Sequence, residues 1–151
     1  FLFKILIPYL PQKAEAEVLR RYHSGFRAND LDAVGLQPLI RPEHLPQIRS
    51  IVNDISVEDG VLNYIAAITH ATRNRAELAP GASTRAGVSL LLASKTLAAL
   101  RGRDYVSPDD IKTLVPPTLR HRVYLRPEAE IEGLDTDAVF RRMLSKLDVP
   151  R

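Results

Sequence analysis

The residue in this sequence best suited to chemistry is Arg85. The run Ser83-Thr84-Arg85-Ala86 begins a strongly apolar stretch with helical periodicity, which predicts that Arg85 lies in the first turn of a helix. Because the N-terminal end of a helix carries partial positive charge, a cation there is disfavoured by a few tenths of a kcal/mol to about 1 kcal/mol. A bound anion such as a phosphate would compensate for this cost. The alternative, which the spacing alone favours, is a surface arginine paired with a nearby acid.

Other residue types that support catalysis or metal binding are absent or scattered. The chain has no cysteine, which excludes disulfides and thiolate metal sites. Gly81 and Gly87 lie close together, but no Gly-Lys-Ser/Thr follows them, so a Walker A phosphate loop is excluded. The histidines stand on separate segments without a paired nucleophile, which predicts surface or packing roles and no metal site. They are His23, His44, His70 and His121.

Two further groups of charged residues have ordinary explanations. Acidic pairs such as Asp109/Asp110 stand at predicted helix starts, where the helix dipole accounts for them. Glu128, Glu130 and Glu132 alternate, which predicts a solvated loop.

Arg120-His121-Arg122 is a third charged group, and it follows a proline break. The pattern alone fits a salt-bridge hub and a nucleic-acid contact equally well.

Hydrophobic periodicity predicts a helical chain with one strand at its start. Phe1–Ile7 is apolar on both faces and is followed by prolines, which is typical of a strand buried in a parallel sheet. No second convincing strand follows, although Val123–Leu125 could form a short one, so Phe1–Ile7 lacks its sheet. The segment 29–37 is predicted to be a loop. The predicted helices are Pro11–His23, Pro42–Ile55, Glu58–Ala76, Ser83–Leu100, a short helix from Ser107 to the Pro116-Pro117 pair, and Leu134–Leu147.

Two of these helices carry stronger signals than the rest. Ser83–Leu100 is apolar on nearly all sides, so we expect it to be the central helix of a bundle. Ser107 is a typical N-cap, followed by Pro108 in the first helical position and by acids in the first turn. The pair Pro116-Pro117 is expected to end this helix, because proline lacks the backbone N–H that an interior position needs, and it could start another turn that runs through Arg120.

Composition limits the class of protein without naming a function. The chain has 151 residues, 21 Lys and Arg against 18 Asp and Glu, and a net charge of +3, which is too weak by itself to argue for nucleic-acid binding. Phe1–Ile7 is too short for a membrane span or a signal peptide. The chain lacks an initiator methionine, so we expect a piece of a longer protein. From its composition we expect that piece to be soluble and cytoplasmic.

The order of motifs resembles the C-terminal lid of MoxR-type AAA+ ATPases, which are close to the magnesium chelatase ATPase subunit. The resemblance covers essentially the whole chain, and Phe1–Ile7 looks like the last strand of the ATPase core. It is carried by Ala-Thr-Arg-Asn-Arg at 71–75, Gly-Ala-Ser-Thr-Arg-Ala at 81–86, Leu-Arg-Gly-Arg-Asp-Tyr-Val-Ser-Pro-Asp-Asp-Ile at 100–111 and Leu-Arg-His-Arg at 119–122.

The resemblance implies specific roles. Arg85 matches the sensor 2 arginine, which reaches from the lid to the nucleotide phosphates. Small residues that let the helix start approach the nucleotide would be Gly81, Ala82, Ser83 and Ala86. Arg120, His121 and Arg122 match an Arg-His-Arg element for which we expect a structural or subunit-interface role. The chain departs from the family at Thr84, where proline is usual, and at Asn74-Arg75, where His-Pro is usual; we expect these changes to alter local geometry more than the role of Arg85.

The same resemblance implies a division of the chain and a cellular role. Residues 1–37 would be the end of the AAA+ core, residues 38–122 the helical lid, and residues 123–151 an appendage with one amphipathic helix. The intact protein would use ATP and Mg²⁺, form a ring, expected to be a hexamer, and remodel client proteins together with von Willebrand factor A-domain partners. The Walker motifs would precede Phe1, so this piece alone should neither hydrolyse ATP nor bind it tightly.

Two other interpretations of the sequence remain. One is a helical nucleic-acid-binding module that uses Arg101, Arg103, Arg120 and Arg122 as a basic face, although residues 101–125 carry only five basic against three acidic residues. The other is a purely structural oligomerisation domain, in which Arg85 has no role in ATP hydrolysis.

Overall fold

The computed structural model describes residues 1–30 and 32–150. Within these residues the chain is helical, and β-structure is limited to two isolated single-residue bridges. The all-α fold expected from the periodicity is thereby confirmed. The helices are α1 (Gln12–His23), α2 (Leu45–Asp54, preceded by a 3-10 turn at Pro42–His44), α3 (Asp59–Arg73), α4 (Thr84–Leu100), α5 (Pro108–Leu119), α6 (Pro127–Ile131) and α7 (Thr136–Leu144). None of them combines the length and the apolar character needed to cross a bilayer.

The chain divides into two compact units, of which the smaller is Leu6–Pro46. It contains α1, the turns that follow it and the 3-10 turn, and α1 has no buried residue. The rings of Tyr22 and Phe26 meet edge to face, with 5.5 Å between their centroids. The predicted loop at 29–37 is irregular where it is described, and Leu31 lies outside the described residues.

The larger unit, Phe1–Ile5 with the residues from Gln47 onward, contains the hydrophobic core. Helix α4 packs against both α3 and α5, and α7 packs against α3 and α5. Leu90 of α4, Ile111 of α5 and Phe140 of α7 are each completely buried. One stripe of α4 stays open, since Val88 and Leu92 are 51% and 53% exposed. Helix α7 therefore packs on the other helices of the larger unit, called the helical unit below. The sequence alone did not decide where this C-terminal helix would lie.

Helix α5 begins as its sequence predicts and ends later. The Ser107 hydroxyl accepts a hydrogen bond from the Asp110 amide, and the Asp110 carboxylate accepts one from the Ser107 amide, which forms a capping box. The expectation that Pro116-Pro117 ends the helix is wrong, because α5 continues through both prolines to Leu119. Proline fixes φ near its helical value, and the complete burial of Val115 and Leu119 holds this turn in the core.

Two more local expectations need correction. The segment with Glu128, Glu130 and Glu132 was expected to be a loop, but Pro127–Ile131 forms the short helix α6, with proline at its first position and Ala129 buried. The possible strand at Val123–Leu125 is reduced to one antiparallel bridge between Leu78 and Leu125. Short apolar runs next to prolines fit several local structures, so tertiary contacts decide between them.

The N-terminal segment does not form the strand that its sequence predicts. Residues 1–10 are neither helix nor strand, because no neighbouring strand lies beside them in the described part of the chain. Instead the Lys4 amide donates a hydrogen bond of 2.9 Å to the Pro117 carbonyl. Leu2 and Phe3 line an apolar groove with Leu97 and Leu114. The segment Phe1–Ile5 thus packs on α4 and α5.

Candidate functional site

Arg85 lies in the first turn of α4, as its sequence predicts. Its side chain is exposed, and it makes no hydrogen bond or ion pair with any of the described residues. The turn contains no acidic residue, and Ser83 at the N-cap makes no side-chain cap to the helix. The pairing with a nearby acid, which would have made Arg85 an ordinary surface residue, is therefore not seen among the described residues. The Arg85 guanidinium and the first backbone amides of α4 are both at the N-terminal end of this helix. Such an end, which combines positive charge with N–H donors, is suited to bind an anion.

The residues around Arg85 divide into an exposed and a buried set. Ser83 is exposed like Arg85, and Gly81 is partly buried. Ala82 and Ala86 point into the core and are 1% and 0% exposed. Thus Ser83 and Arg85 can contact a ligand directly, whereas the two alanines fix the helix start against the rest of the unit.

The loop before α4 is attached to the C-terminal end of α3. The buried Thr72 hydroxyl accepts a hydrogen bond of 2.8 Å from the Ala82 amide and donates one of 2.7 Å to the Thr69 carbonyl. Arg73 Nε donates a hydrogen bond of 2.8 Å to the Ala82 carbonyl. Both backbone groups of Ala82 are therefore held by consecutive residues of one helix. Thr72 and Arg73 belong to the 71–75 motif, to which sequence reasoning gave no role.

The glycine in this loop is needed for close approach of the backbones. A Cβ atom on Gly81 would lie 2.6 Å from both the Cα and the N of Arg73, a distance that packed atoms do not tolerate. A lone glycine before a helix start was the one sequence signal for this contact, and it is equally typical of an ordinary turn. The distance to Arg73 is visible only in three dimensions.

The other side of the same loop is attached to the segment after α5. The Ala79 amide donates to the Tyr124 carbonyl at 2.8 Å, and the Arg126 amide donates to the Glu77 carbonyl at 2.9 Å. These bonds flank the bridge between Leu78 and Leu125. Backbone hydrogen bonds therefore hold the α3–α4 loop from two directions.

The Arg-His-Arg element makes contacts within the chain. Arg120 donates a hydrogen bond of 2.9 Å to Asp137 of α7 and one of 3.1 Å to the Pro116 carbonyl. Arg122 donates one of 2.7 Å to the Phe1 carbonyl, and His121 Nε2 lies 3.3 Å from the same oxygen. Arg120 therefore joins α5 to α7, while the two residues after it contact the N-terminal segment. These three side chains and Arg85 are not brought together by any contact among the described residues.

A buried ion cluster at the start of α5 was missed from sequence. The Asp110 carboxylate is completely buried and accepts hydrogen bonds from Arg101 at 2.8 Å and from two nitrogens of Arg103 at 2.6 and 2.8 Å. Burial alone would raise the pKa of Asp110, but the hydrogen bonds from Arg103 and Ser107 outweigh it and lower the pKa to about 2. The pair Asp109/Asp110 was interpreted through the helix dipole only, because nothing in the spacing shows that one of these carboxylates turns inward.

Residues suited to bind a metal are not grouped in the described part of the chain. No three His, Asp or Glu side chains within residues 1–30 and 32–150 are arranged to hold an ion. The guanidinium of Arg85 has the charge and the donors to bind an anion, whereas the described residues offer no ligand set for a Mg²⁺ ion.

Comparisons with known proteins agree with this architecture. Residues 70–143, which include Thr72, Arg85, Asp110 and the Arg-His-Arg element, match the AAA lid domain family. The chain is 34% identical over 150 residues to the uncharacterized protein YeaC of Bacillus subtilis, covering 99% of this chain and 45% of that protein. It is 28% identical over 165 residues to the chaperone MoxR1 of Mycobacterium tuberculosis, covering 100% of this chain and 41% of that protein.

A solved structure has the same fold. The crystal structure of a candidate ATPase from Cytophaga hutchinsonii superposes with a TM-score of 0.84 at 32% identity, covering 100% of this chain and 47% of that one. The chain therefore spans a little less than half the length of the relatives that it matches. Residues 70–143 are an AAA lid domain, and along its whole length the chain is similar to a MoxR-type chaperone and to a candidate ATPase of known structure.

Proposed function

We propose that the helical unit closes over ATP in the intact ATPase and that Arg85 is its sensor 2 arginine. The observation that carries the proposal is an exposed arginine, without a partner among the described residues, at the start of the helix that packs between α3 and α5. The Arg85 guanidinium also lies at the positive end of the helix dipole, and a phosphate oxygen would supply the anionic partner that no described side chain provides.

The chemistry follows from where charge develops during phosphoryl transfer. Negative charge spreads over the oxygens of the transferred group, and a fixed cation beside them stabilises the transition state. Arg85 would supply that cation from the lid, with the exposed Ser83 beside it and with Gly81, Ala82 and Ala86 supporting the turn. The ATP-bound Mg²⁺ would be held by residues of the ATPase core, since the described residues of this chain offer no ligand set for it.

The proposal extends to motion and to partners. Contact between Arg85 and ATP would favour the closed lid, and loss of the γ-phosphate would release it and rotate the lid against the neighbouring subunit. In this account residues 38–122 act as the lid, residues 1–37 belong to the core, and residues 123–151 form the appendage whose helix α7 packs on the lid. The intact protein would work as a cytoplasmic ring, a hexamer, that remodels clients together with a von Willebrand factor A-domain partner, with Arg120, His121 and Arg122 at structural or subunit contacts.

The nucleic-acid alternative loses its main support. All four arginines of the suggested basic face make contacts within the chain: Arg101 and Arg103 to Asp110, Arg120 to Asp137, and Arg122 to Phe1. Arg101, Arg103 and Arg120 already pair with carboxylates, so they would neutralise few DNA phosphates and release few counterions. Arg122 is bonded to a neutral carbonyl and keeps its full charge. We expect no complex with duplex DNA at low salt; binding that weakens steeply with salt would favour the alternative.

The experiment is ATP hydrolysis by the intact ATPase with Arg85→Ala. We expect kcat/KM to fall at least tenfold, which corresponds to about 1.4 kcal/mol of transition-state stabilisation. Arg141→Ala is the matched control, because Arg141 is an exposed arginine of α7 whose side chain has no bond to the described residues. Unchanged hydrolysis by Arg85→Ala would contradict the proposal and leave the purely structural interpretation.

A further inference from the structure

We infer that Thr72 and Arg73 are positioning residues, which set the place of Arg85 by holding Ala82 on the end of α3. The inference rests on the proposed phosphate contact of Arg85. It gives a role to the 71–75 motif, which the proposed function does not use.

Helix α4 begins without a side-chain cap. Helix α5 begins with a capping box and α7 with a cap from Asp135, whereas Ser83 forms no side-chain cap at the start of α4. The start of α4 thus lacks the side-chain cap that α5 and α7 have, and contacts with another helix are what hold it. Thr72 and Arg73 supply this support one residue before the N-cap, through the amide and the carbonyl of Ala82.

The support that Thr72 and Arg73 give to Ala82 is rigid. Thr72 is completely buried, and its hydroxyl is fixed because it donates to the Thr69 carbonyl while it accepts from Ala82. The Ala82 amide is buried too, so without Thr72 it would lack an acceptor. The backbones of Gly81 and Arg73 are already in contact, which prevents the loop from moving closer to α3.

The position of Ala82 affects the position of the Arg85 side chain. Ala82 precedes Arg85 by three residues, so a shift of Ala82 moves the start of α4 and the base of the arginine. A displacement of about 1 Å of a group that contacts the reacting atoms can cost up to about a hundredfold in rate. Thr72 and Arg73 need not touch the nucleotide to affect hydrolysis.

The test is a double-mutant cycle on ATP hydrolysis by the intact ATPase. Thr72→Val keeps the shape of the side chain and removes the hydroxyl, and we expect kcat to fall about tenfold when Arg85 is present. In the Arg85→Ala background the same change should alter kcat less than twofold, because Arg85 is then no longer there to be placed. Thr72→Ser, which retains the hydroxyl, should restore most of the activity. A general loss of stability would lower the rate by the same factor in both backgrounds, and that result would overturn the inference.

Thr118→Val is the matched control for the chemical change. Thr118 is also completely buried, but its hydroxyl has no hydrogen-bond partner among the described residues, so this variant should keep the parent rate. Gly81→Ala provides a second route, because its Cβ would push the loop away from Arg73 and leave the hydrogen-bonding groups of Thr72 and Arg73 intact. If Thr72→Val does not fold, the cycle is run with Gly81→Ala, and equal losses in both backgrounds would overturn the inference.

A second readout is amide hydrogen exchange in the 151-residue chain, which does not depend on ATP hydrolysis. Exchange at Ala82 should accelerate at least tenfold in Thr72→Val and stay at the parent rate in Thr72→Ser and Thr118→Val. Unchanged exchange at Ala82 in Thr72→Val would show that the hydroxyl does not hold the loop. The two failures are distinguishable: an inactive Arg85→Ala with a fully active Thr72→Val refutes positioning alone, whereas a fully active Arg85→Ala refutes the proposed function and this inference with it.

Discussion

The buried carboxylate of Asp110 offers the sharpest test of how the helical unit is held together. Asp110→Asn keeps the shape of the side chain and replaces one oxygen by an NH2 group. One oxygen of Asp110 accepts from Arg101 and Arg103, and the other accepts from Arg103 and from the amide and hydroxyl of Ser107. In one orientation the new NH2 group of asparagine would face only the N–H donors of Arg101 and Arg103. In the other it would face N–H donors of Arg103 and Ser107, with the Ser107 hydroxyl as the one contacting group that can accept.

The size of the effect follows from burial. Removing one partner of a fully buried ion pair costs about 3–5 kcal/mol. Here the carboxylate is fully buried, but the side chains of Arg101 and Arg103 remain 46% and 25% exposed, so water can recover part of their solvation. We therefore expect Asp110→Asn to lower the free energy of unfolding by about 2–3 kcal/mol. For a unit of this size that corresponds to a fall in Tm of about 8–12 °C.

The pH dependence gives the prediction a second signature. The pKa of Asp110 is lowered from 3.8 to about 2 in the folded state, so its stabilising contribution is fully present above pH 4. As pH falls through the folded pKa the carboxylate becomes protonated, and this contribution is lost. The difference in unfolding free energy between the parent chain and Asp110→Asn should be constant from pH 5 to 8 and should shrink between about pH 4 and 2.

The assay is urea or thermal unfolding followed by circular dichroism across this pH range. Asp109→Asn is the matched control, because the Asp109 side chain is 84% exposed and, among the described residues, pairs only with Lys112 at 3.2 Å. We expect that change to cost less than about 0.5 kcal/mol. An Asp110→Asn variant as stable as Asp109→Asn at pH 7, or a difference that does not shrink in acid, would refute the reasoning.

Three further changes test the packing around this cluster. Ser107→Ala should cost about 1 kcal/mol in urea unfolding, and its effect should be smaller in the Asp110→Asn background because both residues belong to one capping box; fully additive losses would contradict the shared box. Arg120→Ala leaves Asp137 without its ion-pair partner and should lower the free energy of unfolding by about 1–3 kcal/mol. Hydrogen exchange should accelerate first in α7. Equal acceleration in every helix would show that the pair does not hold α7 specifically. Phe140→Ala empties a completely buried position and should cost about 3–5 kcal/mol in the same unfolding assay, and a loss below about 1 kcal/mol would mean that α7 is not part of the core.

Sequence reasoning succeeded where local signals and tertiary packing agree. Helix α4 was predicted as Ser83–Leu100 and spans Thr84–Leu100, because its apolar residues favour a buried helix on every turn. The start of α5 was predicted at Ser107 because N-cap, proline and acids all indicate the same boundary. The placement of Arg85 in the first turn of α4 follows from the same boundary reasoning.

Sequence reasoning failed where a contact distant in sequence decides the structure. Pro116-Pro117 signals a helix end, yet the burial of Val115 and Leu119 keeps α5 intact through it. Asp110 lies beside the exposed Asp109, and only the approach of Arg101 and Arg103 from the preceding loop distinguishes the two carboxylates. The hydrogen bonds of Thr72 and Arg73 to Ala82 join positions nine or ten residues apart, across a loop whose path no local pattern specifies.

The most direct test of the central claim is a structure of the intact ATPase with a non-hydrolysable ATP analogue. The distance to measure joins the guanidinium nitrogens of Arg85 and the nearest phosphate oxygen. We predict about 2.7–2.9 Å, the distance of a charge-assisted hydrogen bond. An Arg85 side chain that is paired with a carboxylate, or that lies far from every phosphate while the nucleotide is bound and the lid is closed, would contradict the account.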